Sequence, residues 1–178
     1  MYSVTNIEFF NELIEKYPDK LIGIFLMSSM DINLLRLVTD SWVELNRRTG
    51  HNTHFIVTTR YAIDDCPSQE KYESFDFELS SKLQEMYGIP NSKTPCIVFD
   101  SGSHTSGQYS ILLSNNIDEV RRTIHLIFDF INSNNYVDTH SRAKKIAFLE
   151  SFMRDNKIRS FVTKVLPSMA RRLITSSI

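Results

Sequence analysis

The sequence predicts one α/β domain in which helices flank a mixed β-sheet, followed by a helical C-terminal extension. Helical apolar spacing alternates along the chain with short continuous apolar runs, which is typical of strands joined by helical crossovers. The last two apolar runs are separated only by a short segment with two glycines, which predicts an antiparallel hairpin. The chain has 178 residues, enough for one full-sized core and an appendage.

The first half is predicted to alternate strands with helices. Thr5 and Glu8 have the spacing of a capping box, so the first helix is expected to begin there. The continuous apolar run that follows it is typical of a strand buried on both faces. The predicted elements are a short strand at 2–4, a helix ending at Pro18, a strand at Leu21–Met27, a helix between Asp31 and Gly50, and a strand at His54–Thr59.

The second half is predicted to end the sheet with the hairpin and to cover it with further helices. Leu79, Leu83 and Met86 have helical spacing, and Gly88 is expected to end their helix. The predicted elements are a loop at Ala62–Ser74, a helix at Phe75–Tyr87, strands at Pro95–Asp100 and Gln108–Leu113, a turn at Ser101–Gly107 between them, and a helix from Asn116 to Ile131.

Two amphipathic helices are predicted for an extension at 136–178, packed on a body at 1–135. Ala143, Ile146, Leu149 and Met153 form the first apolar stripe. Ile158, Phe161, Val165, Met169 and Leu173 form the second, and Pro167 is expected to bend that helix.

Charge is distributed unevenly along the chain. Residues from Val137 onward include nine Lys/Arg and three Asp/Glu, against eleven and eighteen before it. The basic side chains, such as Lys144, Lys145, Arg154 and Lys157, are expected on the solvated faces of docked helices. Contacts with an acidic surface of this molecule or of a partner are an alternative. Neither nucleic acid nor a membrane is a predicted partner. The aromatic residues of this segment lie on apolar stripes and offer no stacking platform for bases, and a basic amphipathic helix at a membrane surface is left as an alternative.

No apolar run is long enough to span a bilayer, and no secretory signal is recognised, so a cytoplasmic protein is expected. The two cysteines, Cys66 and Cys96, are thirty residues apart and form no Cys-x-x-Cys pair, which excludes a dithiol motif and a zinc ribbon. None of the five histidines has a metal-ligand spacing with cysteine or another histidine, so neither a metal nor a cofactor is predicted.

The segment Tyr87-Gly-Ile89…Thr94-Pro95-Cys-Ile-Val-Phe99-Asp-Ser-Gly102 resembles the thioredoxin family's passage from its third helix, through Thr-Pro, to an apolar strand. The resemblance covers roughly residues 2–132 and implies a thioredoxin-like sheet with a parallel core and an antiparallel C-terminal hairpin. It also implies that Pro95 is cis and that Thr94 presents its backbone beside the functional loop. The loop before Thr94 is a residue or two longer than is usual in the family.

The family places its Cys-x-x-Cys after the first inner strand, where this chain has Ser28, Ser29, Met30, Asp31, Ile32 and Asn33. One alignment places Met30 and Asn33 at the cysteine positions, and a shift by one residue places Ser29 and Ile32 there. Neither supplies a thiol, so dithiol redox chemistry is excluded whatever the alignment.

A scaffold without its dithiol favours a non-catalytic protein-binding module, with no catalytic residues and a partner of unknown identity. The expected binding residues are Ser28, Ser29, Met30, Asp31, Asn33, Thr94 and Pro95. A specific inhibitor or immunity protein that caps a basic toxin is one version, because the body is acidic. The alternative is a single-cysteine redox protein that uses Cys96. A third hypothesis is a homodimer through the C-terminal helices, whose apolar stripes need to be covered.

Overall fold

A computed structural model of the chain describes residues 1–49, 53–61, 74–100, 108–133, 136 and 139–163. Their strands form one six-stranded sheet in the order β1-β3-β2-β4-β5-β6. The first three strands in this order are parallel, and β4, β5 and β6 each pair antiparallel with the strand before them. The strands are β1 Tyr2–Val4, β2 Leu21–Leu26, β3 Thr53–Thr58, β4 Cys96–Asp100, β5 Gln108–Leu112 and β6 Ser160–Thr163.

Helices cover both faces of the sheet. Residues from α1 and α4 pack with Ile22, Ile24 and Val98 on one face, and residues from the other four described helices pack with Phe25, Phe55 and Phe99 on the opposite face. The predicted α/β class with a mixed sheet and flanking helices is therefore confirmed. The helices are α1 Ile7–Lys16, α2 Ile32–Asp40, α3 Trp42–Thr49, α4 Phe77–Met86, α5 Ile117–Ile131 and α6 Arg142–Asp155.

Two local predictions about the first half are wrong. The N-cap of α1 is Asn6, not Thr5, because the Asn6 side chain accepts a 2.7 Å hydrogen bond from the Phe9 amide. The helix predicted between Asp31 and Gly50 is two helices, α2 and α3, which meet at Ser41. Thr39 Oγ1 donates to the Leu35 carbonyl oxygen at 2.6 Å just before this junction, a bond that often bends a helix.

The prediction of a second helix in the C-terminal extension is wrong for the part of it that the structure describes, which ends at Thr163. Ser160–Thr163 forms β6 on the edge of β5, and Leu112 N donates to Arg159 O at 2.9 Å. The edge of β5 offers backbone groups that need partners, and this requirement outweighs a helical pattern that rests on Ile158 and Phe161. The loop at 62–73, the turn at 101–107 and the bend at Pro167 lie outside the described residues.

The helix α6 is anchored to the body by two buried basic residues. The expectation of a solvated side chain is wrong for Lys145, whereas Lys144, Arg154 and Lys157 are exposed as expected. Arg142 is 3% exposed and Lys145 is 6% exposed. Lys145 Nζ donates to Asp19 O at 2.9 Å and lies 4.5 Å from the centre of the Tyr136 ring. Arg142 pairs with a carboxylate of this molecule, that of Asp100, whereas Lys145 bonds a backbone carbonyl oxygen.

The apolar stripe of α6 is covered by the same domain. Ile146, Leu149 and Met153 are buried in the core, whereas Ala143 is exposed. For α6, the uncovered stripe that motivated a homodimer is therefore not present.

Candidate functional site

The sheet brings the two predicted binding segments to one of its ends. In the antiparallel pair of β2 and β4, Leu26 lies opposite Cys96. The chain that leaves β2 through Met27 and Ser28 therefore passes beside the chain that enters β4 through Thr94 and Pro95. The expected residues thus flank adjacent strand ends, although they are about sixty positions apart in the chain.

The turn after β2 is held by its own polar groups. Asp31 Oδ2 accepts hydrogen bonds from Ser28 N at 2.7 Å and from Ser28 Oγ at 2.9 Å. Asp31 N donates to Ser28 O at 3.1 Å, and Met30 N donates to Ser28 Oγ at 3.2 Å. Ser28 and Asp31 therefore shape the turn, and their side chains are less available to a partner than the sequence suggested.

Two large apolar side chains project from this turn into solvent. Met30 is 85% exposed and Ile32 is 53% exposed, and both Ser29 and Asn33 are exposed beside them. The sequence did not place Ile32 among the expected binding residues. Because its side chain is exposed, Ile32 joins the candidate residues. The sequence contains a signal for this: the apolar stripe of α2 is formed by Leu34, Leu35 and Val38, and Ile32 lies off that face of the helix.

Thr94 and Pro95 contribute mainly through the backbone. The Thr94–Pro95 peptide bond is cis. Pro95 is buried, and its carbonyl oxygen accepts from Leu113 N at 2.9 Å, while Thr94 Oγ1 donates to Asn91 O at 2.9 Å. Thr94 is half-buried. The segment therefore contributes a fixed backbone surface beside the turn and no reactive side chain.

The Cys96 thiol is poorly suited to redox chemistry. Cys96 is 0% exposed, and burial, together with the nearby negative charge of Asp31, raises the pKa of its thiol to about 12. A thiol is nucleophilic and oxidisable chiefly as the thiolate, which this environment disfavours near neutral pH. Cys66, the other candidate thiol, lies outside the described residues.

The described residues contain no group of three or more His, Cys, Asp or Glu side chains that would hold a metal ion. His51 and His104 lie outside them. Separately, no helix in the described part of the chain combines the length and the apolar character that a bilayer crossing requires.

Sequence reasoning missed a cleft on the other side of Pro95. It has a volume of about 380 Å³ and lies between the end of β5, the first turns of α5 and the connection from α6 to β6. The lining side chains include Arg122, Lys157 and Arg159, together with one carboxylate, that of Glu119. The signal in the sequence was the basic C-terminal segment, but only the antiparallel pairing of β5 with β6 carries part of it to this end of the sheet.

No family model matches this chain, and no curated protein and no solved structure matches it significantly. The features that bear on function lie at this end of the sheet, where an exposed apolar turn, a buried thiol and a basic cleft are neighbours.

Proposed function

We propose that this chain is a non-catalytic protein-binding module with a thioredoxin-like fold. The parallel strands β1, β3 and β2, followed by antiparallel β4 and β5, support the thioredoxin-like part of the proposal. A specific inhibitor or immunity protein is one form of such a module, and identification of the partner decides between the forms.

The observation that carries the proposal is the exposure of Met30 and Ile32 on an ordered turn. Burying a large apolar side chain that was exposed to water is favourable, and such side chains at the centre of an interface often dominate the free energy of binding. The hydrogen bonds between Ser28 and Asp31 hold the turn, so that little conformational freedom is lost when a partner binds. Met30 is also unbranched, and such side chains adapt to varied partner surfaces.

The buried thiol of Cys96 favours binding over single-cysteine redox chemistry. Its side chain is not exposed to solvent, and its high pKa keeps it protonated near neutral pH. The charged group that shifts the pKa of this thiol is the carboxylate of Asp31, and its negative charge disfavours the thiolate further.

The test is affinity capture with the full chain as bait in an extract of its source cells, read by quantitative mass spectrometry. The double variant Met30→Asp/Ile32→Asp is compared with the wild-type chain and with Val43→Asp. Val43 is a matched control because it is 60% exposed on α3. A partner that the wild type and the control retain, and that the double variant loses, supports the proposal.

Once a partner is identified, Met30→Ala is expected to weaken its affinity by about 5- to 30-fold, the effect of truncating an apolar side chain central to an interface. Equal recovery by all three baits, or recovery of no partner, refutes the assignment of this surface.

A further inference from the structure

The cleft beside Pro95 has the charge and shape to receive an extended chain. Its lining is mixed: Pro95, Leu112, Leu113 and Ile158 contribute apolar groups, and the remaining lining residues are polar or charged. Three of them are exposed cations, Arg122, Lys157 and Arg159. Apolar groups beside charged ones are an arrangement by which many binding sites combine affinity with orientation.

The three cations outnumber the carboxylates of the cleft. Glu119 is the acidic residue in the lining, and within the described part of the chain none of the three cations forms an ion pair within 4.0 Å. In contrast, the neighbouring Arg121 pairs with Asp118 at 3.5 Å. The positive charges of the cleft are therefore available to an anionic partner.

The backbone holds two of these cations in place. Lys157 has a φ of 59°, in the left-handed region, at the end of α6. There, Lys157 N donates to Arg154 O and Ile158 N donates to Met153 O, both at 2.9 Å. This is the hydrogen-bonding pattern that ends many helices, and Arg159 then joins β5 through its carbonyl oxygen. The positions of these charges are thus set by the fold rather than by a free tail.

The cleft and the exposed turn are close enough for one short segment to reach both. Ser28 follows β2 and Arg159 precedes β6, and these strands are three positions apart in the sheet. At about 4.8 Å per strand spacing this is about 14 Å, the length of four to five extended residues. The lining residues include no aromatic side chain, so the described cleft offers no platform on which nucleic-acid bases could stack.

We propose that this cleft binds an acidic, extended peptide segment of the protein partner. Arg122, Lys157 and Arg159 contact its carboxylates, and an apolar residue of the same segment reaches Met30 and Ile32. This inference rests on the proposed function, and it adds the chemistry of the partner.

The test begins with selection of random octapeptides on the immobilised full chain, followed by fluorescence anisotropy of the most enriched peptide with soluble protein. Enrichment of Asp and Glu beside an apolar residue is expected. Single variants Arg122→Gln, Lys157→Asn and Arg159→Gln should weaken binding about two- to fivefold each, and the triple variant at least tenfold. Asn is chosen at 157 because it tolerates a positive φ. Affinity should also fall as salt is added.

The controls separate this inference from the proposed function. Lys144→Gln removes an exposed cation at the start of α6, far from Lys157 at its other end, and should bind like the wild type. Denaturant unfolding verifies that each variant is folded. Binding that is lost in Met30→Asp/Ile32→Asp but retained in the triple variant refutes the acidic-segment proposal alone. Peptide binding that no variant changes refutes both.

Three other results overturn the proposal. The first is enrichment of peptides without Asp or Glu. The second is displacement of the peptide by inorganic phosphate beyond that caused by sodium chloride at the same ionic strength, or tighter binding of a single-stranded oligonucleotide that depends on the same three residues. The third is self-association in sedimentation that the triple variant abolishes, which would make a second copy the occupant.

Discussion

The buried contact between Arg142 and Asp100 should be essential for stability. Arg142 Nη1 lies 3.4 Å from Asp100 Oδ1, and the two side chains are only 2% and 10% exposed. Arg142 Nη2 donates to the carbonyl oxygens of Ile14, at 3.0 Å, and of Tyr17. Tyr87 Oη donates to the other oxygen of the carboxylate, Asp100 Oδ2. One guanidinium therefore joins α6 to β4 and to the end of α1.

Replacing Arg142 with Met keeps most of the side-chain volume but leaves the Asp100 carboxylate buried without its cation. Breaking a buried ion pair in this way costs about 3–5 kcal/mol. Typical domains have a free energy of unfolding of about 5–15 kcal/mol, so Arg142→Met should remove about a fifth of it or more. Adding Asp100→Asn should recover about 1–3 kcal/mol, because the buried negative charge is then gone.

The measurement is equilibrium urea unfolding followed by far-ultraviolet circular dichroism, with the same m-value required for all variants. Arg154→Met is the matched control on α6, because Arg154 is exposed, and it should change the free energy of unfolding by less than about 0.5 kcal/mol. A loss below about 1 kcal/mol in Arg142→Met, or no recovery in the double variant, would refute the reasoning.

Three further predictions follow from buried groups. Gly23→Ala should lower the free energy of unfolding by about 1–3 kcal/mol, because a Cβ at this position would lie 2.7 Å from Phe55 Cε1; an unchanged urea midpoint would contradict this close packing. The free energy of unfolding should be constant below about pH 9 and fall as the pH rises toward 12. Burial raises the pKa values of Cys96, Tyr109 and Tyr136 to about 12, so these groups release their protons at lower pH in the unfolded chain than in the folded one. Urea unfolding at pH values from neutral to about 11 tests this, and constant stability would contradict it. In a Cys66→Ser background, iodoacetamide should modify Cys96 only after denaturation, and rapid modification of the native protein would favour the single-cysteine redox hypothesis instead.

Local patterns predicted the inner part of the sheet well. The run Leu21–Met27 corresponds to β2 at Leu21–Leu26, and Pro95–Asp100 corresponds to β4 at Cys96–Asp100. A strand buried on both faces needs an unbroken apolar run, so its position can be inferred from composition alone. The helices α1 and α5 could be predicted equally well, because their apolar residues recur with helical spacing and a breaking or capping residue marks one end of each.

Predictions at the C-terminal segment were weaker because the deciding partners are distant in sequence. Ile158 and Phe161 have a spacing that a helix allows, but β5 offered an unpaired edge, and the segment became β6. Lys145 was expected on a solvated face, yet the carbonyl oxygen of Asp19 accepts its hydrogen bond, and the nearby Arg142 donates to Asp100 and to Ile14 O. Side-chain periodicity does not register these contacts, since it reports only which residues share a face.

The absence of a Cys-x-x-Cys pair, the uneven charge and the order of the inner elements follow from the sequence by itself, because each depends on residue identity or on short-range spacing. The tertiary structure alone decided that the turn at Ser28–Asn33 lies beside Pro95, that Met30 and Ile32 project from it, and that three cations gather around a cleft on the other side. The physical reason is strand pairing, which joins segments that are far apart in the chain and thereby places an apolar turn next to a basic cleft.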